Sequence, residues 1–267
     1  GIQTLYLPEK VEIVDVDAET GAYGRTRFIE YSYGSNGYLE KVHFRGWPTG
    51  TLSATCNISG NVTALEDVYF IMLSDDMAAT LQLSYTYSIR GQMTSSRIDR
   101  GIQTEYTYTG TGLLKQSIRT KPTNSGKLVT DYTYNPFGKC VSADSYTVLN
   151  DEPPKAETHT EYKYDAVGRL IQENRYNESN LLTCQVEYRY ENRNTIATKT
   201  EYTENKQTQT TCIFDHAGNL IEYRYGTNGQ NVQRYLYTYR KAFHFGLPRN
   251  SYSILPSLPE TGISAVE

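Results

Sequence analysis

The sequence predicts an all-β protein: a long antiparallel meander of β-hairpin repeats, about 16–20 strands, forming a twisted, curled sheet, trough or open shell. Three observations predict it. Tyrosine is abundant, with 25 in 267 residues. Most of it recurs in one spelling, Tyr-x-Tyr followed by a turn and Gly, as at Tyr132, Tyr134 and Gly138 or Tyr162, Tyr164 and Gly168. No segment carries sustained helical periodicity.

Side chains alternate along a strand, so Tyr-x-Tyr puts two large β-formers on one face. The spelling recurs at Tyr31/Tyr33, Tyr85/Tyr87, Tyr106/Tyr108, Tyr188/Tyr190 and Tyr223/Tyr225, and Cys212/Phe214 stands in for it once. The segments Asn135–Gly138, Asp165–Gly168 and Asp215–Gly218 read as turns. Asp or Asn opens such a turn, and Gly supplies the left-handed residue that completes a hairpin with a bulge. This register puts the residue two after the Gly opposite the second Tyr. Those residues are Leu39, Met93, Leu114, Cys140, Leu170 and Leu220, with Ile196 in the copy whose Gly is Asn194. All are apolar, and only the Tyr225 copy, with Asn231, breaks the rule. The opposite face reads as solvated. Glu30, Glu105, Asp131, Glu161, Glu187 and Glu222 precede the first Tyr, and Asp165 is placed to pair with Arg169 across its turn.

In chain order, residues 1–82 read as N-terminal strands, with two or three strands over 5–33 around an Asp17–Gly21 turn. A non-repeat insert covers 46–82, with a short helix expected near Met77–Leu81. Residues 83–240 are a string of repeat hairpins, and 241–267 form a Pro-containing tail or cap. Twist is obligatory in such a sheet, and a long exposed aromatic stripe is not tolerated. The tyrosine face is therefore expected to turn inward.

Composition narrows the function. A net charge of −4 offers no basic face, so nucleic acid is not expected as a partner. No apolar run is long enough for a transmembrane helix. Gly-Ile-Gln-Thr at the start is not a signal peptide, as expected if a leader or lipid anchor lay outside these residues. Cys56, Cys140, Cys184 and Cys212 form no zinc-type spacing. Two disulfides with three alternative pairings, or free thiols, both fit. Cys140 in a Leu slot, Cys212 in a Tyr slot and Cys184 on the same parity read as core residues. His43, His159, His216 and His244 lie on separate hairpins and read as polar surface. Asp15–Gly21 does not complete a calcium loop. Leu258–Gly262 spells a sortase signal without the apolar span that must follow it. No metal, cofactor or catalytic residue is predicted.

Tyr164-Asp-Ala-Val-Gly-Arg-Leu-Ile171 closely resembles the core of the YD repeat, also called the Rhs repeat. Phe214–Ile221 resembles it nearly as well, and Tyr134–Val141 more loosely. The resemblance covers 28–45 and 83–240. It implies a β-rich spiral or shell without catalytic residues of its own, as in containers that wrap a toxin or in adhesive surface proteins. A short chain like this one is most similar to the small YD-repeat-like surface lipoproteins of Gram-negative gut anaerobes.

Three function classes follow. The first is a non-catalytic cell-surface, periplasmic or secreted protein that binds an extended glycan or polypeptide along a tyrosine-lined concavity. The expected contacts are Tyr106, Tyr108, Tyr132, Tyr134, Tyr162, Tyr164, Tyr188 and Tyr190. The second is a fragment of a larger adhesin or toxin-encapsulating shell. The third, a two-carboxylate glycoside hydrolase, would need a Glu on the tyrosine face with a second carboxylate nearby.

Overall fold

The computed structural model describes residues 3–46, 49–71, 82–98, 101–120, 126–150, 152–191, 196–217 and 219–244. The expected helix near Met77–Leu81 and the Leu258–Gly262 motif lie outside them. The first strands are β1 (Gln3–Val16), β2 (Tyr23–Tyr33), β3 (Leu39–Arg45), β4 (Thr49–Cys56), β5 (Val62–Ile71) and β6 (Gln82–Tyr87). They are followed by β7 (Met93–Ile98), β8 (Gln103–Tyr108), β9 (Leu114–Thr120), β10 (Lys127–Tyr134), β11 (Cys140–Val148) and β12 (Lys155–Tyr164). The last are β13 (Leu170–Asn177), β14 (Leu182–Tyr190), β15 (Ile196–Thr203), β16 (Lys206–Phe214), β17 (Leu220–Thr227) and β18 (Gln230–His244).

The all-β, antiparallel expectation holds, but the sheet is not an open curl or trough. Consecutive strands pair throughout, and β1 pairs with both β2 and β18. The ladder returns on itself, giving a closed antiparallel barrel of 18 strands. The physical reason lies in β1. Val11 stands opposite Ile29 of β2 and Tyr237 of β18, so one strand satisfies both edges of the meander. An open meander would leave two rows of unpaired backbone groups, and closure removes them.

The described residues form two compact units, residues 3–85 with 208–244 and residues 86–207. In the first unit, Val11, Ile13, Ile29, Tyr31, Leu39, Val42, Leu52, Val62 and Leu65 form an apolar cluster. In the second, the buried side chains form smaller nuclei around Leu114 and Cys140 and around Leu170, Cys184, Val186 and Tyr188. All four cysteines are free thiols, and Cys140, Cys184 and Cys212 are buried, as their strand parity requires.

Candidate functional site in the tyrosine face

Each repeat turn is built by its first residue. Asp165 Oδ1 accepts the backbone N–H groups of Val167 and Arg169 at 3.0 and 2.9 Å. Asn135 does the same for Phe137 and Lys139, and Asp215 for Ala217 and Asn219. Gly138 and Gly168 sit at φ 78° and 85°, the left-handed region that a side chain disfavours. The backbone donors at Arg169 and its guanidinium hold the Asp165 carboxyl below the usual carboxylate range. Arg169 Nε closes the predicted ion pair to Asp165 at 2.7 Å.

The predicted register is present. Tyr33, Tyr108, Tyr134, Tyr164, Tyr190 and Phe214 stand opposite Leu39, Leu114, Cys140, Leu170, Ile196 and Leu220. A bulge follows immediately in each copy, so one residue is skipped and the parity flips. The third residue after the Leu slot therefore returns to the tyrosine face, opposite the first Tyr or its Cys212 stand-in. That position holds Val42, Ser117, Ala143, Glu173, Lys199 and Tyr223.

The second tyrosine of a repeat reaches back to the preceding hairpin. Its hydroxyl donates to the main-chain carbonyl in the Leu slot, beside the bulge. Tyr108 donates to Met93 at 2.6 Å, Tyr134 to Leu114 at 2.6 Å, Tyr164 to Cys140 at 2.6 Å and Tyr190 to Leu170 at 2.5 Å. Tyr239 makes the same bond to Leu220 at 2.8 Å, and Tyr33 bonds Pro8, at a bulge of β1, at 2.7 Å. A bulge interrupts the ladder, and the phenol supplies a donor there.

The eight tyrosines singled out from the sequence divide between the two nuclei of the second unit. Tyr106, Tyr108, Tyr132 and Tyr134 pack on Leu114 and Cys140, whereas Tyr164, Tyr188 and Tyr190 pack around Leu170 and Val186, and Tyr162 touches both. Tyr188 is buried, and the other seven keep part of their ring exposed. Burial raises the phenols of Tyr108, Tyr132, Tyr134, Tyr162 and Tyr188 above their usual value.

Carboxylates interrupt this face: Glu201 stands opposite the buried Val186, Glu157 bonds Thr147 further along, and the most deeply buried is Glu173. Glu173 is 2% exposed. Its Oε1 accepts Arg175 Nη2 at 2.8 Å, and its Oε2 accepts the Tyr188 hydroxyl at 2.9 Å. The expectation that the repeat's acids face solvent does not extend to this residue, because the bulge turned it inward. The acids that precede the first Tyr do lie on the other face. There Asp131 accepts Gln116 and Tyr146, and His159 bonds Asp144 at 2.6 Å.

Beyond the tyrosines, the same face opens into a pocket of about 420 Å³. Along β10 the order is Tyr134, Tyr132, Thr130, Leu128, and Leu128 stands between Arg119 of β9 and Thr147 of β11. Arg119, Lys127, Leu128, Ser145, Thr147 and Glu157 line it. Thr147 Oγ1 donates to Glu157 Oε1 at 2.8 Å. The sequence reading missed these residues. The signal available was the pair of long polar connections at 121–126 and 150–154, which flank them.

No family model and no curated protein matches the chain. Solved structures do. A porin-like protein from Bacteroides uniformis is similar at 12% identity and TM-score 0.48, over 87% of this chain and 96% of that one. A porin-like protein from Bacteroides vulgatus is similar at 10% identity and TM-score 0.40, over 88% of this chain and 99% of that one. A TcdB2-TccC3 structure is similar at 12% identity and TM-score 0.31, over 87% of this chain but only 15% of its own. These are likenesses of fold and carry no argument about activity.

Proposed function

We propose that this chain is a non-catalytic β-barrel of the cell surface or periplasm, built on YD-like repeats, that binds an acidic glycan on its tyrosine face. The pocket beside Arg119 is the observation that carries this reading. It combines the Arg119 cation with the hydroxyls of Ser145 and Thr147, the Glu157 carboxylate and one apolar wall at Leu128. Charged donors for a carboxylate, hydroxyl partners and an apolar patch are what a sugar acid needs. The partly buried rings of Tyr132 and Tyr162 continue from the pocket along the same face, and their accessible edges offer contact surface for further sugar units.

Three observations support the remainder of the reading. Glu173, one of the carboxylates turned onto the tyrosine face, is fully buried with both oxygens engaged, so it is unavailable as a general acid or base. Closure leaves no free strand edge, so a polypeptide has no edge of the described sheet to extend. The exposed face carries Asp131, Asp144, His159 and Glu187 at mid-strand, where a membrane-spanning barrel needs an apolar band.

A glycan array followed by titration calorimetry tests the proposal. Uronic-acid oligosaccharides are expected to bind and neutral ones to bind weakly. Arg119→Ala should lower the affinity about tenfold, the effect of losing one charge-assisted contact. Absence of glycan binding, or an unaffected Arg119→Ala variant, rejects it.

A further inference from the structure

We propose that the hairpin tips of the second unit form a docking edge for an anionic lipid surface. The inference is independent of the glycan pocket, which lies at the other end of the strands.

Four neighbouring hairpins of this unit turn at the same end of the sheet: β6–β7, β8–β9, β10–β11 and β12–β13. Their turns share one set of bonds. The Gly N–H donates back to Ser88, Thr109, Asn135 or Asp165 at 2.9–3.0 Å, and the side chain of that same residue caps the turn. The second tip residue gives only its backbone N–H to the cap, as Arg90, Phe137 and Val167 do, so the apolar side chains at the tips take no part in these bonds. Turns elsewhere in the chain hold Ser35 and Asn36, or Ser59 beside an exposed Ile58, and the β8–β9 turn holds Gly110 and Thr111, so small or polar residues build the turn equally well.

Nevertheless, the tips of this unit carry Ile89, Phe137 and Val167, exposed by 105%, 91% and 76%. Large apolar side chains held this far into water, where the fold does not need them, mark a contact surface. Neighbouring strands lie about 4.8 Å apart, so Phe137 and Val167 are about 10 Å from each other along the edge.

The charge behind the tips selects the partner. Arg90, Lys115, Lys139, Lys163 and Arg169 lie within these hairpin ends, against a single carboxylate, Asp165, which is paired with Arg169. The chain as a whole is at −4, so this edge reverses the sign of the protein. Apolar tips in front of a basic collar match the interface of an anionic bilayer: the tips enter the acyl boundary while the cations meet headgroup phosphates.

The test is vesicle co-sedimentation of the full chain, with phosphatidylcholine vesicles and with vesicles that also contain phosphatidylglycerol. Binding is expected to the second kind and to weaken with salt. The variant Ile89→Ser/Phe137→Ser/Val167→Ser should keep its circular dichroism and lose at least about tenfold in partitioning, since buried apolar area is what holds it there. Phe137→Trp should shift its fluorescence to the blue when phosphatidylglycerol vesicles are added. No sedimentation of the wild type, or full binding by the triple variant, overturns the proposal. Tip-dependent self-association without vesicle binding also overturns it and assigns the edge to a second copy of this chain.

Discussion

The hydroxyl of Tyr164 donates to the main-chain carbonyl of Cys140, 24 residues earlier and one hairpin back, at 2.6 Å. The same bond recurs from repeat to repeat, so the second tyrosine ties each hairpin to its neighbour through a single donor. A leucine could fill that volume but could not serve the carbonyl. Tyr164→Phe keeps the ring and removes only the donor. The expected loss is about 1–3 kcal/mol, the cost of leaving a part-buried carbonyl unpaired. Tyr23→Phe is the control, because Tyr23 is 60% exposed, and should stay within about 0.5 kcal/mol. Urea titration of both variants measures the difference, and equal midpoints would remove the hydroxyl from the account.

Much of this was legible in the sequence because it is local. Turn, second Tyr and Leu slot lie within a few residues of one another, so spelling fixes register, and Tyr134 does stand opposite Cys140. Three things were not legible. Residues 54–62 form a repeat without its tyrosines: Cys56 stands opposite Val62 across a bulge, and its thiol donates to the Leu39 carbonyl at 3.6 Å as the phenols do elsewhere. Ala54 and Cys56 hid the spelling. The bulge was expected, but its consequence, the return of Glu173 to the tyrosine face, follows only when register is counted past it. Closure depends on β1 meeting β18 across almost the whole chain, and no local pattern encodes that pairing.

Glu173 and Arg175 should respond unequally to substitution. The Glu173 side chain is 2% exposed and that of Arg175 is 40% exposed. Arg175→Met strands a buried carboxylate with only the Tyr188 hydroxyl to stabilise it. The expected cost is about 3–5 kcal/mol. Glu173→Gln leaves a cation that can turn toward water and should cost about 1–2 kcal/mol. Replacing both, with Glu173→Leu and Arg175→Met, should recover much of the loss, since an apolar pair of similar volume avoids desolvating two charges. Thermal melts of the three variants decide this. If Glu173→Gln proves the most damaging single change, the assignment of the buried charge is wrong.

The barrel should withstand alkali and then fail abruptly. Burial, the largest cause in each case, pushes the phenols of Tyr223 and Tyr239 up to about 12. In the unfolded chain a tyrosine ionises near pH 10. A group whose value is raised by folding contributes stability that is fully present below its unfolded value and is lost as pH rises through its folded value. Stability should therefore decline between about pH 10 and pH 12. Phenolate absorbance should appear in two steps, exposed rings first and core rings together with the loss of circular dichroism. A single smooth titration near pH 10 would show the rings to be open to water.

Thiol chemistry tests strand parity. Cys56 is partly exposed, while Cys140, Cys184 and Cys212 are buried. Burial also pushes the Cys140 thiol up to about 11, away from the reactive thiolate. Native protein should release one equivalent with a thiol-reactive chromogen, from Cys56, and all four thiols after unfolding without reductant. Cys56→Ala should abolish the native signal. Fewer than four after unfolding would reveal a disulfide and move at least one cysteine out of the place its strand gives it.

Removing β1 separates a closed sheet from an open one. In an open meander the first strand is an edge, and deleting it shifts that edge by one position at modest cost. Here β1 is covered on both sides, and Leu7, Val11 and Val14 are among the most deeply buried side chains. Deleting residues 1–16 would expose the backbone of β2 and of β18 at once, together with the apolar cluster around Ile29 and Leu39. Two long unpaired edges favour association between chains. The truncated chain is therefore expected to run as oligomers or aggregate in size-exclusion chromatography with light scattering. Adding a synthetic peptide of residues 1–16 should restore the monomer by pairing both edges. A truncated chain that stays monomeric and unfolds in the same cooperative step as the whole would mean that the ladder is open at β1.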